Sequence, residues 1–454
     1  MQKKHFSLSA NPARVIAGSF LGVIITGTLL LMLPLSAKNG AVTNFFDALF
    51  TATSATCVTG LIVVDTYTHW TFFGQGVILS LIQIGGLGLV TLTLFFNLLI
   101  RRKLGLRTLQ LAQESTSASN FEDTPRLLRG IVGISLTVEA IGAVLLLPAF
   151  VPKYGMEGIF ISVFTSVSAF CNAGFDLLGR EGPYSSLIHY NGSYVLLVVS
   201  ALIIIGGLGF MVLFDLLHYH KSKKLRLHSR VVLLSTACLL FIGTLGFAAL
   251  EWHNPATMGN LPVWQKLKAA FYQSVSTRTA AFNSIDIASM NEISKVLSIG
   301  LMFIGAAPGS TGGGIKVTTI VVLIMTAVSV ARGYDDTIIM KHKIKRQVVN
   351  KSLTVVFIGF LAVLLASGVI IYTTHDGGVT ASTVDALFES TSAFATVGLS
   401  SGITAIANLP SKLLLIATMF LGRIGPISFL LSLAAGSGKV NRKQVMPEGH
   451  LNVG

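Results

Sequence analysis

The stretch Ser54-Ala55-Thr56-Cys57-Val58-Thr59-Gly60-Leu61 decides the reading of this chain, because it returns three more times. Ser168-Ala169-Phe170-Cys171-Asn172-Ala173-Gly174-Phe175 is one copy and Ser392-Ala393-Phe394-Ala395-Thr396-Val397-Gly398-Leu399 another. A looser copy reads Val275-Ser276-Thr277-Arg278-Thr279-Ala280-Ala281-Phe282. A phenylalanine stands ten residues before each key small residue, at Phe50, Phe164, Phe271 and Phe388. Every copy lies between two long hydrophobic segments. Helix, short re-entrant segment and helix, repeated four times on one chain, point to a pore of pseudo-fourfold symmetry.

Composition agrees. Of 454 residues, 52% are apolar and 11% charged, and the mean hydropathy is +0.73. Soluble domains carry about 25% charged residues, so the chain reads as a membrane protein. Cys57, Cys171 and Cys238 form no CxxC pair. The net charge of +14 does not point to nucleic acid, because it is concentrated in particular loops. Basic residues crowd the segments after the first three repeats, from Arg101 to Arg107, Lys221 to Arg230 and Arg332 to Arg346, and both termini. The opposite connections carry scattered ones such as Lys295 and Lys412. By the positive-inside rule, both termini and all three inter-repeat loops are expected in the cytoplasm.

A span needs about 20 mostly apolar residues. The pattern predicts an all-α polytopic protein of eight transmembrane helices. Repeat 1 (1–126) has helices from Arg14 to Pro34 and Gly74 to Ile100, with a re-entrant helix from Phe45 to Thr56. Repeat 2 (127–228) has Leu127 to Phe150, Ile159 to Phe170 and Gly192 to Leu217. Repeat 3 (229–346) has Arg230 to Leu250, Lys268 to Thr277 and Ile293 to Ala331. Repeat 4 (347–436) has Val348 to Tyr372, Val384 to Phe394 and Pro410 to Ala435, and residues 437–454 form a cytoplasmic tail.

The register continues into the second long helix. From Gly60 to Gly85 is 25 residues, from Ala281 to Gly305 is 24, and from Gly398 to Gly422 is 24. Gly174 to Gly206 takes 32, because the Arg180-Glu181-Gly182-Pro183 loop is longer. Close helix packing of small residues accounts for any one of these glycines. Their fourfold coincidence marks equivalent depths.

A selective pore replaces an ion's hydration shell with backbone carbonyls, and glycine permits the backbone that turns them inward. A re-entrant helix pointing its C-terminus at the axis adds about half a negative charge, which favours cations. No Asp or Glu stands in the four stretches. Asp47 and Asp385 sit early in their re-entrant helices, where N-terminal capping explains them. The candidate filter residues are Thr56, Cys57, Val58, Thr59 and Gly60; Cys171, Asn172, Ala173 and Gly174; Arg278, Thr279, Ala280 and Ala281; and Thr396, Val397 and Gly398.

The segment from Ile293 to Ala331 is too long for one simple span. Its middle, Gly305-Ala306-Ala307-Pro308-Gly309-Ser310-Thr311-Gly312-Gly313-Gly314, defeats a helix. A loop there, below the filter, would make a gate, with Gly305, Gly309, Gly312, Gly313, Gly314, Lys316 and Arg423 as its candidate residues. A phosphate-binding loop is discounted, because Ile315 separates Gly314 from Lys316 and no strand precedes it. Intramembrane cations usually mark function. Arg423 either lies under the filter, contacts the glycine loop, or pairs with a helix-end carbonyl or with Glu139. Lys316 either caps the broken helix or lines the path.

These stretches together resemble the superfamily of K+ transporters that includes bacterial Ktr and Trk and plant HKT proteins, and most closely the KtrB-type membrane subunits. The resemblance covers nearly the whole chain. It rests on the four filter stretches, on Gly422-Arg423-Ile424-Gly425-Pro426 and on the glycine loop before Gly314-Ile315-Lys316. The short segment before the first span favours the Ktr type over Trk. The resemblance implies a K+-translocating subunit, often Na+-dependent, in a bacterial cell membrane and surrounded by membrane lipids. It also implies a homodimer with one pore per protomer, under a cytosolic nucleotide-binding regulatory ring of the KtrA/KtrC type. The nucleotide would bind that ring rather than this chain, whose ligands would be K+ and, in Na+-dependent systems, Na+, as transported or coupling ions, with no covalent cofactor. Gly60, Gly174 and Gly398 take the family's filter glycines. Ala281 departs from the pattern, which predicts weaker K+/Na+ discrimination. No catalytic constellation stands beside these motifs, so no enzyme is expected. The alternatives are a less selective Na+/K+ transporter of the same fold and an unrelated symporter.

Overall fold

The computed structural model describes residues 12–88, 124–182, 184–376 and 382–433. The far end of the expected helix from Gly74 to Ile100, the first basic loop and the C-terminal tail lie outside them. Apart from one small hairpin, the regular secondary structure of the described residues is helical. The long elements are α1 (Pro12–Leu31), α2 (Phe45–Cys57), α3 (Phe72–Leu87), α4 (Thr124–Tyr154), α5 (Glu157–Phe170), α6 (Val195–Leu208) and α7 (Phe210–Ser222). They continue with α8 (Leu227–Glu251), α9 (Val263–Ser276), α10 (Glu292–Phe303), α11 (Val317–Ala331), α12 (Arg346–Asp376), α13 (Thr383–Phe394), α14 (Leu409–Ile424) and α15 (Pro426–Leu433). The hairpin pairs Ile338–Ile339 with His342–Lys343.

Helices α1, α4, α8 and α12 contain stretches long and apolar enough to cross a membrane. Their outer faces expose Leu29, Leu136, Val144, Phe241, Phe357 and Leu365. The interior is polar by comparison. The short helices α2, α5 and α13 bury all but one of their serines and threonines, Thr383 being exposed, along with Phe50, Phe164 and Phe388. Apolar outside and hydroxyl-rich inside is the arrangement hydrocarbon surroundings demand. The protein is a multi-pass membrane protein.

Each short helix packs on the helix before it, and α2, α5 and α13 pack also on the one after it. Each also packs on the inner helix of a neighbouring repeat: α5 on α3, α9 on α6, α13 on α10 and α2 on α14. The last contact brings the two ends of the chain together. Two ion pairs follow the same order, Lys295 to Asp385 and Lys412 to Asp47, each at 2.8 Å. These lysines, which read as scattered surface charges, therefore tie neighbouring repeats. Asp385 also completes a helix start, with its backbone N–H donating to Ser382 Oγ at 3.1 Å. Asn44 caps α2 in its place.

The inner helices differ from expectation, because they are not continuous. α3 ends before Gly88 (φ 80°), α6 breaks from α7 at Gly209 (φ 88°), and α14 breaks from α15 at Gly425 (φ 91°). The α6–α7 break bends the chain by 99°. Left-handed backbone at one glycine ends a helix at little cost. Three residues before each break, Gly85, Gly206 and Gly422 face the carbonyls of Thr56, Phe170 and Phe394. A methyl at any of the three would overlap the end of a short helix. In the third repeat the break is the whole segment between α10 and α11.

Candidate ion pathway

Where α2 ends, Val58 adopts φ 58° and Gly60 φ 92°. The pattern returns at Asn172 and Gly174 (60° and 67°), Thr279 and Ala281 (66° and 64°), and Thr396 and Gly398 (49° and 86°). Left-handed residues at alternate positions turn successive carbonyls toward one side of the strand. Three of the four first positions are β-branched, for which positive φ is a genuine outlier. Strain of about 1–3 kcal/mol per residue persists only where the surroundings impose it. Four such pairs in one molecule are a construction.

Hydrogen bonds to the short helices impose it. The Gly60 N–H donates to Ser54 Oγ at 3.1 Å and the Gly398 N–H to Ser392 Oγ at 3.0 Å. The preceding amides donate to backbone carbonyls: Thr59 to Ser54, Ala173 to Ser168 and Val397 to Ser392. The third strand is fastened differently. Ala280 donates to Ser276, one residue closer, and Val275 stands where the other copies have serine. Phe271 is correspondingly only half-buried, while Tyr272 takes the buried place. The missing serine was visible in the sequence as a sign of this slip.

The structure brings the four strands together. The side-chain directions of Gly60, Gly174 and Gly398 all converge on the Ala281 methyl. The three glycines and Ala281 share a cavity of about 220 Å³ with Asp65, Asp176, Asp286, Ser400 and Ser401. Not every candidate residue lies on the strands themselves. Thr56 and Cys57 are still the last residues of α2, and Cys171 is the cap of α5. Arg278 turns its side chain toward α6 and α8. Sequence reasoning missed Glu389, which is fully buried in α13. It accepts from Ser400 Oγ at 2.7 Å, the Ser401 N–H at 3.1 Å and the Thr404 N–H at 2.9 Å, fixing the loop beyond the fourth strand. Asp176, in the loop after the second strand, has its carboxyl pushed up to about 6, chiefly by burial and further by neighbouring Asp65.

At the other end of the strands lies the glycine loop. Gly312 lies against the Thr279 hydroxyl and Gly313 against that of Thr396, so closely that a side chain at either would collide. Gly309 and Gly314 adopt φ 67° and 69°, while Gly305 donates to the Ile315 carbonyl at 2.8 Å. The loop is tied to the second repeat by Ala307 N–H to Gly207 O at 3.0 Å, Phe210 N–H to Gly309 O at 2.9 Å and Thr311 Oγ1 to Phe170 O at 3.1 Å. Arg423 donates to the Thr311 carbonyl and to Gly85 O, latching the loop to the fourth and first repeats. The Glu139 pairing is not formed. Glu139 instead accepts from Gln83 Nε2 at 3.0 Å. Lys316 starts α11 and donates to Gly312 O at 2.7 Å, so it braces the loop from within.

The family model described as "TrkH: Cation transport protein" matches residues 3–443. The chain is 40% identical over 424 residues to the Ktr system potassium uptake protein B of Bacillus subtilis, with 93% of each chain covered. It is 36% identical to the potassium/sodium uptake protein NtpJ of Enterococcus hirae, over the full length of both. Its fold resembles the crystal structure of the potassium transporter TrkH from Vibrio parahaemolyticus, with a TM-score of 0.72 at 18% identity, covering 96% of this chain and 87% of that one. A match from one end of the chain to the other, and two relatives aligned over more than nine-tenths of it, carry one conclusion: the chain belongs to the TrkH family of cation transport proteins, as a member of the KtrB type.

Proposed function

We propose that this protein is the K+-translocating subunit of a bacterial K+ uptake system. In this reading four helix–pore loop–helix repeats, bounded at 1–126, 127–228, 229–346 and 347–436, place eight spans around one axis. The filter is built by residues 58–60, 172–174, 279–281 and 396–398. The observation that carries the reading is the alternation of left-handed residues in all four strands, aimed at one point. The short helices end there, and their C-terminal partial charges favour a cation. The loop at 305–314, with Lys316 and Arg423, is the gate. A cytosolic nucleotide-binding ring of the KtrA/KtrC type on the basic face would control it, in a homodimer whose termini are cytoplasmic. The names of the relatives, two of them concerned with potassium uptake, support the ion.

The reading is tested by ion flux into proteoliposomes under K+ and Na+ gradients, with Gly398→Ser as the variant. K+ flux that the substitution weakens or makes less selective is the expected result. Flux of unchanged size and selectivity would contradict it. A second reading, a less selective Na+/K+ pathway, is favoured by Ala281, whose methyl stands where the other strands have only hydrogen. In that case Ala281→Gly raises the K+/Na+ flux ratio. The substitution changes stability little. Relief of about 1–2 kcal/mol of left-handed strain is offset by about 0.5–1 kcal/mol of added chain entropy.

A further inference from the structure

Arg278 stands just past the end of α9, at the base of the third strand, and is 7% exposed. Its Nη1 has no protein partner among the described residues. The Thr236 hydroxyl of α8, 6% exposed, has none either. Both residues line one small cavity of about 10 Å³, closed by Ile203, Ile204 and Gly207 of α6 and by Val275. Two orphaned polar groups, on residues that two different elements bring to one small cavity, describe a ligand site.

The size and charge of the cavity select the ligand. A water needs roughly 10–15 Å³ of such space and at least two polar partners, which this cavity provides. A halide is larger. The guanidinium also has an electrostatic counterpart, because it sits at the C-terminus of α9, where the helix dipole contributes about half a negative charge. What Nη1 lacks is an acceptor, and a neutral molecule supplies that.

We propose that a single ordered water occupies this cavity, accepting from Arg278 Nη1 and bridging it to Thr236 Oγ1. The bridge holds the third strand against α8. Arg278 and Thr236 are thereby positioning residues for the strand whose tie to its own helix departs from the pattern, the one that has Val275 instead of the serine and Ala281 instead of the glycine. The water site stands on the cavity and its two polar atoms alone; its effect on ion preference rests on the K+ reading above.

The test combines a structure with a flux ratio. A cryo-EM map of the full chain in lipid, at a resolution that shows ordered waters, should hold one peak within about 3 Å of both atoms. Thr236→Val removes the hydroxyl at nearly constant volume, and Thr236→Ser keeps it. The valine variant should lose the peak and lower the K+/Na+ flux ratio roughly 2- to 5-fold, the worth of one water-mediated bond; the serine variant should keep both. An empty cavity in the wild-type map overturns the proposal, as does a peak that bromide replaces, which would assign an anion. A peak present only in the wild type, with equal ratios in all three proteins, overturns the positioning role while leaving the K+ reading intact.

Discussion

Asp176 lies beside the point where the four strands meet, and its carboxyl is pushed up to about 6 by burial and by Asp65. The sign follows from that shift. Above pH 6 the group is ionised and adds a negative charge to the cavity where the strands meet; below it the group is neutral. Lowering the external pH from 7 to 5 should therefore reduce cation uptake at limiting concentration roughly 2- to 5-fold, the effect of removing a unit charge beside a solvated path. Asp176→Asn should give the low value at both pH values. A pH response that survives in the Asn variant would assign the effect elsewhere. The four strands were legible as a motif because their small residues recur at fixed distance from a phenylalanine. The roles of Glu389 and Asp176 were not, because an acid in a loop or short helix takes its meaning from amides far along the chain.

At the scale of elements, the glycines of the inner helices divide by what surrounds them. Gly422 faces the Phe394 carbonyl, a backbone atom that cannot move aside, whereas Gly300 in α10 has nothing within 4 Å. Gly422→Ala should destabilise the protein by about 1–3 kcal/mol through overpacking. Gly300→Ala should stabilise it by about 0.5–1 kcal/mol through helix propensity. Thermal melts of the purified protein read both, and equal effects would refute the packing account. The short helices begin and end near the expected residues, within two for three of them. α9 starts at Val263 rather than Lys268, because Lys266 is buried and donates to the Trp252 carbonyl at 2.8 Å. A lysine in an amphipathic turn reads as solvent-facing in sequence. The helix ends at Gly88, Gly209 and Gly425 escaped notice for a related reason. One glycine in an apolar run looks like a packing site, and only the backbone reveals which glycine is left-handed.

For the whole molecule, Arg423 is the side chain that joins the fourth repeat, the glycine loop and the first repeat. If the loop is the gate, removing this latch should release it. Arg423→Gln should raise basal cation flux in the absence of any cytosolic partner, since each hydrogen bond from a charged donor contributes about 1.5–3 kcal/mol. Basal flux equal to or below the wild type would show that the latch does not hold the gate closed. The ring closure by Lys412 to Asp47 and Lys295 to Asp385 lay beyond sequence reasoning, because the partners are hundreds of residues apart in one case and ninety in the other.

In the proposed function the four strands together form the cation site. Anomalous diffraction from crystals grown with Rb+ measures this directly. The account predicts a peak on the axis shared by Gly60, Gly174, Ala281 and Gly398, held by backbone carbonyls of residues 58–60, 172–174, 279–281 and 396–398. Rb+ found only among Asp65, Asp176 and Asp286, or away from the four strands altogether, would contradict it.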